Sequence, residues 1–476
     1  QYVVSGPVWE YYSGEGWEEG LRREMELDLL NGFTGKTVIL HSNDVHGAID
    51  LYAAMASLKA DYEAQGAEVI LADAGDYSQG TVYFSVHKGA DAVTMMNATG
   101  YDVATIGNHE FDYGYAQLAE NMKAAKFKVL CADVLGADGK TIFDANTIIE
   151  KGGVKIGFFG LETPEAQTKA NPKLIEGLKF LAGKDGKELY ACADAQVKAL
   201  KEQGADLVVC LSHLGIDGSS EPYTSYDLAA NVEGIDFIID GHSHTVMTKG
   251  ENGEPIQSTG TAFANIGVIV IDDATKKIES NSLFEIKEDT AKDATVAAAA
   301  QKIIDRIDKE YGAVFAKSEV VLNGAKAPDG NRDSETNLGD LCADAYRILL
   351  GADIAFVNGG GVRDNIKVGD ITYGDIIKVH PFGNEACLVE VTGQQIKDAL
   401  ELGSAAYPGE SGGFLQVSGL KYTIDTTVKS SAKGDDKSMF VSVDGAYRVK
   451  NVKVLKNGKY VDIDPKATYT VASHNY

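Results

Sequence analysis

The chain has 476 residues, of which 44% are hydrophobic and 24% charged, a composition typical of a globular protein with two or three domains. No stretch approaches the roughly 20 apolar residues that a membrane-spanning helix requires. The 70 acidic residues outnumber the 44 basic ones, which makes the formal net charge −26. This charge argues against a nucleic-acid polymer as a partner, but it allows a small nucleotide where bound cations reverse the local field.

The predicted elements divide the chain into four parts. Residues 1–35 read as an N-terminal extension with one short helix, packed on the main body or, alternatively, used for interaction. Residues 36–290 alternate short apolar runs with helical patterns, which predicts an α/β domain. Residues 291–317 predict one connecting helix. Residues 318–476 mix a helix with strands and predict a second, smaller α/β domain, so the chain as a whole is α/β (α+β overall).

Five polar clusters in the first domain each follow a β-type apolar run. They are Asp44-Val45-His46, Gly75-Asp76, Gly107-Asn108-His109-Glu110, Ser212-His213 and Gly241-His242-Ser243-His244. Open α/β sheets place ligand sites at the carboxyl ends of their strands, so one sheet would bring the clusters together. A single histidine is ordinarily structural, but this recurrence of carboxylate, amide and imidazole without thiolate is typical of hard and borderline metal ligands. The pattern predicts a metal-dependent hydrolase.

The clusters supply enough ligands for two metal ions. Asp44 and His46 alternate along the chain and would point to the same side. Asp76 has two carboxylate oxygens and would bridge two ions, which at a separation of ~3.5–4 Å clamp the attacking and leaving oxygens of a phosphoryl group. We expect one ion to be held by Asp44, His46, Asp76 and His244, and the other by Asp76, Asn108, His213 and His242.

His109 and Asp112 are predicted to act in catalysis. They lie three residues apart at an expected helix start and would share one face. A carboxylate bonded to one imidazole nitrogen fixes the tautomer and favours the charged form, which would stabilise negative charge on phosphorus. The alternative is a helix-capping pair.

The five clusters, in this order, resemble the calcineurin-like metallophosphoesterases. More narrowly, 107–112 and 241–244 resemble the two-domain 5'-nucleotidase family, whose relatives hydrolyse 2',3'-cyclic nucleotides and nucleotide sugars. The resemblance implies a four-layer αββα metallophosphoesterase domain followed by a 5'-nucleotidase-type substrate-binding domain.

Two segments of the second domain, 336–340 and 358–363, are similar to that family's substrate domain. The resemblance implies that Arg363 and Asn358 contact substrate, with Arg332 a weaker candidate and Gly360 allowing close backbone approach. Phe382 and Tyr476 match the positions of two aromatic rings that would sandwich a base. The family continues beyond the second ring, so we expect the C-terminal domain to be incomplete at Tyr476.

The predicted function is hydrolysis of nucleotide phosphoesters by in-line attack of a metal-bound hydroxide, with two divalent ions drawn from Zn, Mn, Fe or Co. The expected location, implied by the resemblance, is extracellular, periplasmic or at the cell surface. Two alternatives use the same site: a 2',3'-cyclic nucleotide phosphodiesterase and a UDP-sugar hydrolase. A third, from another class, is a catalytically silent surface protein that binds a nucleoside or a partner. The complete ligand set argues against it.

Overall fold

The computed structural model describes residues 32–324, 329–434 and 440–475. Most of the predicted N-terminal extension, and Tyr476, therefore lie outside the described residues. Within these ranges no helix combines the length and the apolar character needed to cross a membrane.

The first domain alternates strands and helices as its apolar runs predict. Its strands are β1 (Lys36–Ser42), β2 (Glu68–Asp73), β3 (Val103–Thr105), β4 (Lys128–Leu130), β5 (Val134–Leu135), β6 (Asn146–Lys151), β7 (Val154–Glu162), β8 (Lys179–Phe180), β9 (Leu207–His213), β10 (Phe237–Asp240), β11 (Val246–Met247), β12 (Ile256–Thr259), β13 (Asn265–Asp272) and β14 (Lys277–Glu285). Its helices are α1 (Tyr52–Ala64), α2 (Val82–Ser85), α3 (Ala90–Thr99), α4 (Tyr115–Met122), α5 (Ala166–Lys169), α6 (Lys187–Glu202) and α7 (Ser225–Asn231).

Two mixed sheets stack face to face in this domain. The described strands order as β14-β13-β1-β2-β3-β4 in one sheet and β11-β12-β10-β9-β7-β6 in the other. Side chains alternate between the two faces of each strand. In β1, Ile39 joins the core between the sheets, while Val38 and Leu40 face the helices on the outside. The same alternation in β9 sends Val209 inward and Cys210 outward.

Helices cover both outer faces of this sandwich. The first sheet packs against apolar residues of α1 and α3, and the second packs against Leu189, Val197 and Leu200 of α6. The order helix, sheet, sheet, helix confirms the predicted four-layer αββα arrangement.

The connecting helix is shorter than predicted. Helix α8 (Ala294–Tyr311) begins at Asp293, whose side chain accepts a hydrogen bond from the amide of Val296, and it ends at Gly312. The remaining predicted helical residues enter a strand, β15 (Val314–Ser318), because a β-branched and aromatic pair follows the glycine. Val296, Ile303 and Ile307 bury α8 against the first domain, so this helix is packed along its length.

The second domain is a smaller α/β unit. Its further strands are β16 (Ile354–Asn358), β17 (Gly369–Thr372), β18 (Ala386–Thr392), β19 (Leu415–Ser418), β20 (Leu420–Ile424), β21 (Ala432–Gly434), β22 (Phe440–Val443), β23 (Val449–Lys456), β24 (Lys459–Asp462) and β25 (Thr468–His474). Its helices are α9 (Asn337–Leu350), α10 (Tyr373–Val379) and α11 (Gly393–Gly403). The sheet β18-β25-β16-β19 lies between α9 on one face and α11 on the other.

Candidate metal centre and substrate site

The five predicted clusters meet at one edge of the sandwich. Strands β1, β2 and β3 are parallel neighbours, as are β9 and β10, so their carboxyl ends lie side by side. The first sheet brings Asp44, His46, Asp76 and Asn108 to this edge, and the second brings His213, His242 and His244. The expectation of a single sheet was too simple, because the two sheets share the ligands.

The backbone is strained at these residues. Asp44, His46, Asp76, His242 and His244 all have positive φ, between 45° and 73°. Left-handed backbone is uncommon for residues other than glycine, and it persists where the surrounding structure imposes it, typically at functional sites. The strain places five predicted ligands in the same compact cluster.

Glycines allow the loops to approach one another. A Cβ at Gly107 would meet Oδ1 of Asp76 and would lie 2.6 Å from Nε2 of His213. A Cβ at Gly241 would lie 2.9 Å from Nδ1 of His213 and 3.1 Å from Oδ2 of Asp44. These two positions need a residue without a side chain for the ligands to converge.

Two overlapping sets of side chains have the spacing of metal ligands. Asp44, His46 and His244 form one set, and Asp44, Asp76 and His213 form the other. Nε2 of His46 lies 3.1 Å from Nε2 of His244, and the latter lies 3.3 Å from Oδ1 of Asp44.

Asp76 belongs to the second set and also lies close to a histidine of the first. Its Oδ2 is 3.7 Å from Nε2 of His46 and 3.1 Å from Nε2 of His213. The carboxylate that belongs to both sets is nevertheless Asp44, which we had expected from the sequence to bind one ion only. The structure thus brings both carboxylates to the middle of the cluster.

The other ring nitrogens of two histidines are anchored to the backbone. Nδ1 of His213 donates to the carbonyl of Ala74 at 2.6 Å, and Nδ1 of His46 lies 3.2 Å from the carbonyl of Gln79. Such contacts fix the tautomer and leave Nε2 to bind an ion. Oδ1 of Asn108 is buried and has no hydrogen-bond partner among the described residues, which suits an amide ligand.

Burial and charge act against each other here. Asp44 and Asp76 are almost fully buried. Burial opposes ionisation of Asp76, but the charges of His213 and His109 outweigh it and hold the pKa of Asp76 well below its ordinary value. Burial lowers the pKa of His46 to about 3. Two buried carboxylates beside neutral imidazole require compensating positive charge, which divalent ions would supply.

Glu110 organises the loop that carries Asp76, a role that the motif did not reveal. Its side chain, 2% exposed, accepts hydrogen bonds from four backbone amides. Oε2 accepts from Asp76 at 2.8 Å and from Gly107 at 2.6 Å, and Oε1 accepts from Tyr77 at 3.0 Å and from Ser78 at 2.9 Å.

His109 and Asp112 form the expected pair. Nδ1 of His109 lies 2.7 Å from Oδ2 of Asp112, and the amide of His109 donates to Oδ1 of Asp76 at 2.9 Å. Burial opposes protonation, but the charges of Asp112 and Asp76 raise the pKa of His109 above its ordinary value. The backbone of His109 is thereby bonded to Asp76, and its imidazole is oriented by Asp112.

The second domain contacts the first at His109. The ring of Phe382 stacks on His109 with centroids 5.6 Å apart and an interplanar angle of 18°. The guanidinium of Arg363 lies 5.5 Å from the centroid of Phe382. The hydroxyl of Tyr113 donates to the carbonyl of Pro381 at 3.3 Å, a further contact between the domains.

The other predicted substrate residues lie in loops next to Arg363. Nη1 of Arg363 donates to the carbonyl of Gly360 at 3.4 Å, and the amide of Gly360 donates to Gly412 at 2.9 Å. The carbonyl of Arg332 accepts from the amide of Ser411, in the same loop as Gly412. Asn358 serves the scaffold in this arrangement, because its Oδ1 lies 3.0 Å from Nε2 of His474 and its Nδ2 donates to Gly412.

His242 differs from the other predicted ligands because its Nε2 points to a carboxylate outside the cluster. Oε2 of Glu165 lies 2.7 Å from this nitrogen, and Nζ of Lys169 lies 3.2 Å from it. No local pattern links either residue to His242, since they precede it by more than 70 positions.

Family models match both domains. Residues 314–476 match the 5'-nucleotidase C-terminal domain, and residues 43–251 match the bacterial capsule synthesis protein PGA_cap. A third model, a carbon–carbon bond lyase of the TIM-barrel fold, matches residues 1–81, but β1 and β2 lie here in an open mixed sheet.

Known relatives align over nearly the whole chain. The 5'-nucleotidase of Vibrio cholerae is 29% identical over 93% of this chain and 85% of its own length. The trifunctional nucleotide phosphoesterase protein YfkN of Bacillus subtilis is 29% identical over 92% of this chain, which spans only 31% of that longer protein. The crystal structure of a 5'-nucleotidase precursor from Thermus thermophilus superposes with a TM-score of 0.76 at 28% identity, covering 92% of this chain and 89% of that one.

Proposed function

We propose, on the premise that the chain belongs to the 5'-nucleotidase family of two-domain phosphoesterases, that it hydrolyses nucleotide phosphoesters with two divalent metal ions. One observation carries the proposal. The two overlapping ligand sets around Asp44 and Asp76 lie directly beside His109, on which an aromatic ring of the second domain stacks. A phosphate at the ligand sets would therefore have its organic group next to the second domain.

The side chains present fit two ions. Asp44, His46, Asp76 and His244 would hold one, and Asp76, Asn108, His213 and His242 the other. The unpaired amide oxygen of Asn108 and the anchored rings of His46 and His213 support this assignment. Oxygen and nitrogen donors without thiolate suit Zn, Mn, Fe or Co. When bound, two such ions polarise the phosphoryl group and lower the pKa of water into the working range.

His109 and Asp112 would stabilise the transition state. Since Nδ1 of His109 is bonded to Asp112, its Nε2 is the nitrogen that can donate a hydrogen bond to a phosphoryl or leaving oxygen. Asp112 keeps the ring in that orientation and compensates its positive charge.

The second domain would bind the nucleoside. Arg363 would donate to phosphate or ribose oxygens, and Phe382 would stack on the base after leaving His109. Tyr476 would supply the second ring, while Arg332, Asn358 and Gly360 would shape the pocket. In this arrangement Phe382 covers His109, so we expect the second domain to move when a nucleotide binds.

The same site would serve other nucleotide phosphoesters. The relative YfkN is described as trifunctional, which keeps cyclic nucleotides and nucleotide sugars among the candidate substrates. We also propose an exported protein, since the Thermus relative is a precursor and two further relatives are snake venom 5'-nucleotidases.

Hydrolysis of a nucleotide phosphoester decides the proposal. The purified chain, stripped with a chelator and reloaded with Mn²⁺ or Zn²⁺, should convert AMP to adenosine and phosphate, UDP-glucose to UMP and glucose 1-phosphate, or 2',3'-cyclic AMP to the ring-opened monophosphate, and the stripped protein should not. Asp76→Asn should abolish activity with little change in thermal unfolding. Absence of turnover on all three substrates in every metal would refute the enzyme, and an active Asp76→Asn variant would refute the bridging role.

A further inference from the structure

Glu165, just before the short helix α5, is a carboxylate directed at a predicted metal ligand. Its Oε2 lies 2.7 Å from Nε2 of His242, and its side chain is 20% exposed. No motif of the family resemblance contains this residue. Its position raises the question of which nitrogen His242 presents to an ion.

The carboxylate of Glu165 is itself held in place. Nζ of Lys169 donates to Oε2 at 3.0 Å, and Oγ of Ser220, which is buried, donates to the same oxygen at 3.0 Å. Lysine is only a donor, so the acceptor for an N–H of His242 is Glu165. The 2.7 Å contact is therefore an Nε2–H donating to the carboxylate.

The backbone and ring of His242 are confined as well. Its amide lies 3.0 Å and 3.2 Å from the two carboxylate oxygens of Asp44, and its φ is 73°. The ring lies 5.3 Å from that of His213, and it occupies space that Gly215 leaves open, since a side chain at residue 215 would have its Cβ only 3.2 Å from Cδ2. With Nε2 bonded to Glu165 and the ring unable to turn freely, Nδ1 is the nitrogen that remains for an ion.

We propose that Glu165, supported by Lys169 and Ser220, is a positioning residue that holds His242 as an Nδ1 ligand of one of the two metal ions. The inference rests on the proposed metal-dependent function. A carboxylate on the far nitrogen fixes the tautomer and makes the imidazole a stronger donor to the metal, and losing such a partner typically weakens metal affinity 10–100-fold. Because the proposed function assigns His242 to one ion only, the effect should fall on that ion.

Metal titration of the full chain tests the proposal. Glu165→Ala, Glu165→Gln and the wild type are stripped of metal and titrated with Mn²⁺ or Zn²⁺ by calorimetry, and Co²⁺ absorption in the visible range reports the ligand environment. We expect Glu165→Ala to bind one ion 10–100-fold more weakly and the other unchanged. Glu165→Gln, whose amide oxygen still accepts a hydrogen bond, should lose less. The matched control is Glu188→Ala, since Glu188 forms an exposed pair with Lys179 at 3.3 Å.

The melting temperature of the metal-free protein separates positioning from folding, and it should change by less than ~2 °C in Glu165→Ala. Wild-type affinity for both ions in this variant would overturn the proposal. Equal weakening of both ions, or weakening that appears only with a lower metal-free melting temperature, would overturn it too. A wild type that takes up no metal, or that hydrolyses none of the three nucleotide substrates, instead refutes the proposed function.

Discussion

Replacing Glu110 with glutamine should destabilise the first domain and displace Asp76. The carboxylate accepts four backbone amides, two on each oxygen. An amide side chain has one acceptor oxygen, so two buried N–H groups would lose their partner and face an NH₂ group. At about 1–3 kcal/mol for each buried unsatisfied donor, the free energy of unfolding should fall by about 2–6 kcal/mol.

Urea unfolding of the metal-free protein, followed by circular dichroism, measures this change. Glu120→Gln is the matched control, because Glu120 is 66% exposed and pairs with Lys123 on the surface. Its effect should stay within about 0.5 kcal/mol. If Glu110→Gln unfolded within about 1 kcal/mol of the wild type, the four amide contacts would not hold the loop as described.

Three further predictions concern Gly107, Phe382 and the buried histidine His41 of β1. Gly107→Ala would force a Cβ against Asp76 and His213, so the affinity for metal should fall at least about tenfold while the fold is retained. Elemental analysis after equilibration with limiting metal measures the bound metal, and a variant loaded as fully as the wild type would contradict this. Phe382→Ala should raise the KM for AMP about 5–150-fold, from ~1–3 kcal/mol of base stacking, and should leave the KM for ribose 5-phosphate nearly unchanged. An equal effect on both substrates would exclude stacking. Burial in the folded protein lowers the pKa of His41 to about 4, from 6.5 in the exposed side chain. On acidification, His41 therefore takes up a proton at a higher pH in the unfolded chain than in the folded protein. The free energy of unfolding should therefore fall by up to about 3 kcal/mol between pH 6.5 and 4. The difference in this free energy between the wild type and His41→Gln, measured by urea unfolding, should narrow over that range. A difference in unfolding free energy that stays constant with pH would show that His41 does not take up a proton on unfolding.

The sequence predicted that the five polar clusters would lie close together, because each of them follows a strand. Each of the five clusters follows an apolar run, and parallel strands necessarily bring their carboxyl ends to one edge. The apolar runs that form β1 and β9 predicted strands, although they did not reveal that the domain contains two stacked sheets. The four layers came from the family resemblance.

What the sequence could not predict depends on long-range geometry. Glu165 reaches His242 across 77 positions, and Glu110 bonds to amides more than 30 positions away. Neither spacing has a local pattern. The end of α8 could have been predicted from the sequence, since Val314 and Phe315, which favour strands, come shortly after Gly312. The left-handed backbone at Asp44 and His46 has only a weak signal in residue type, since aspartate and histidine adopt it more often than most other residues.

The division of the ligands between the two sheets has a consequence for how the domain withstands unfolding. Asp44, His46, Asp76 and Asn108 come from one sheet, and His213, His242 and His244 from the other. Metal ions bound by residues of both sheets would cross-link the two sheets at this edge of the sandwich. Metal binding then adds its free energy to folding, so loading should further stabilise the packing of the two sheets against each other.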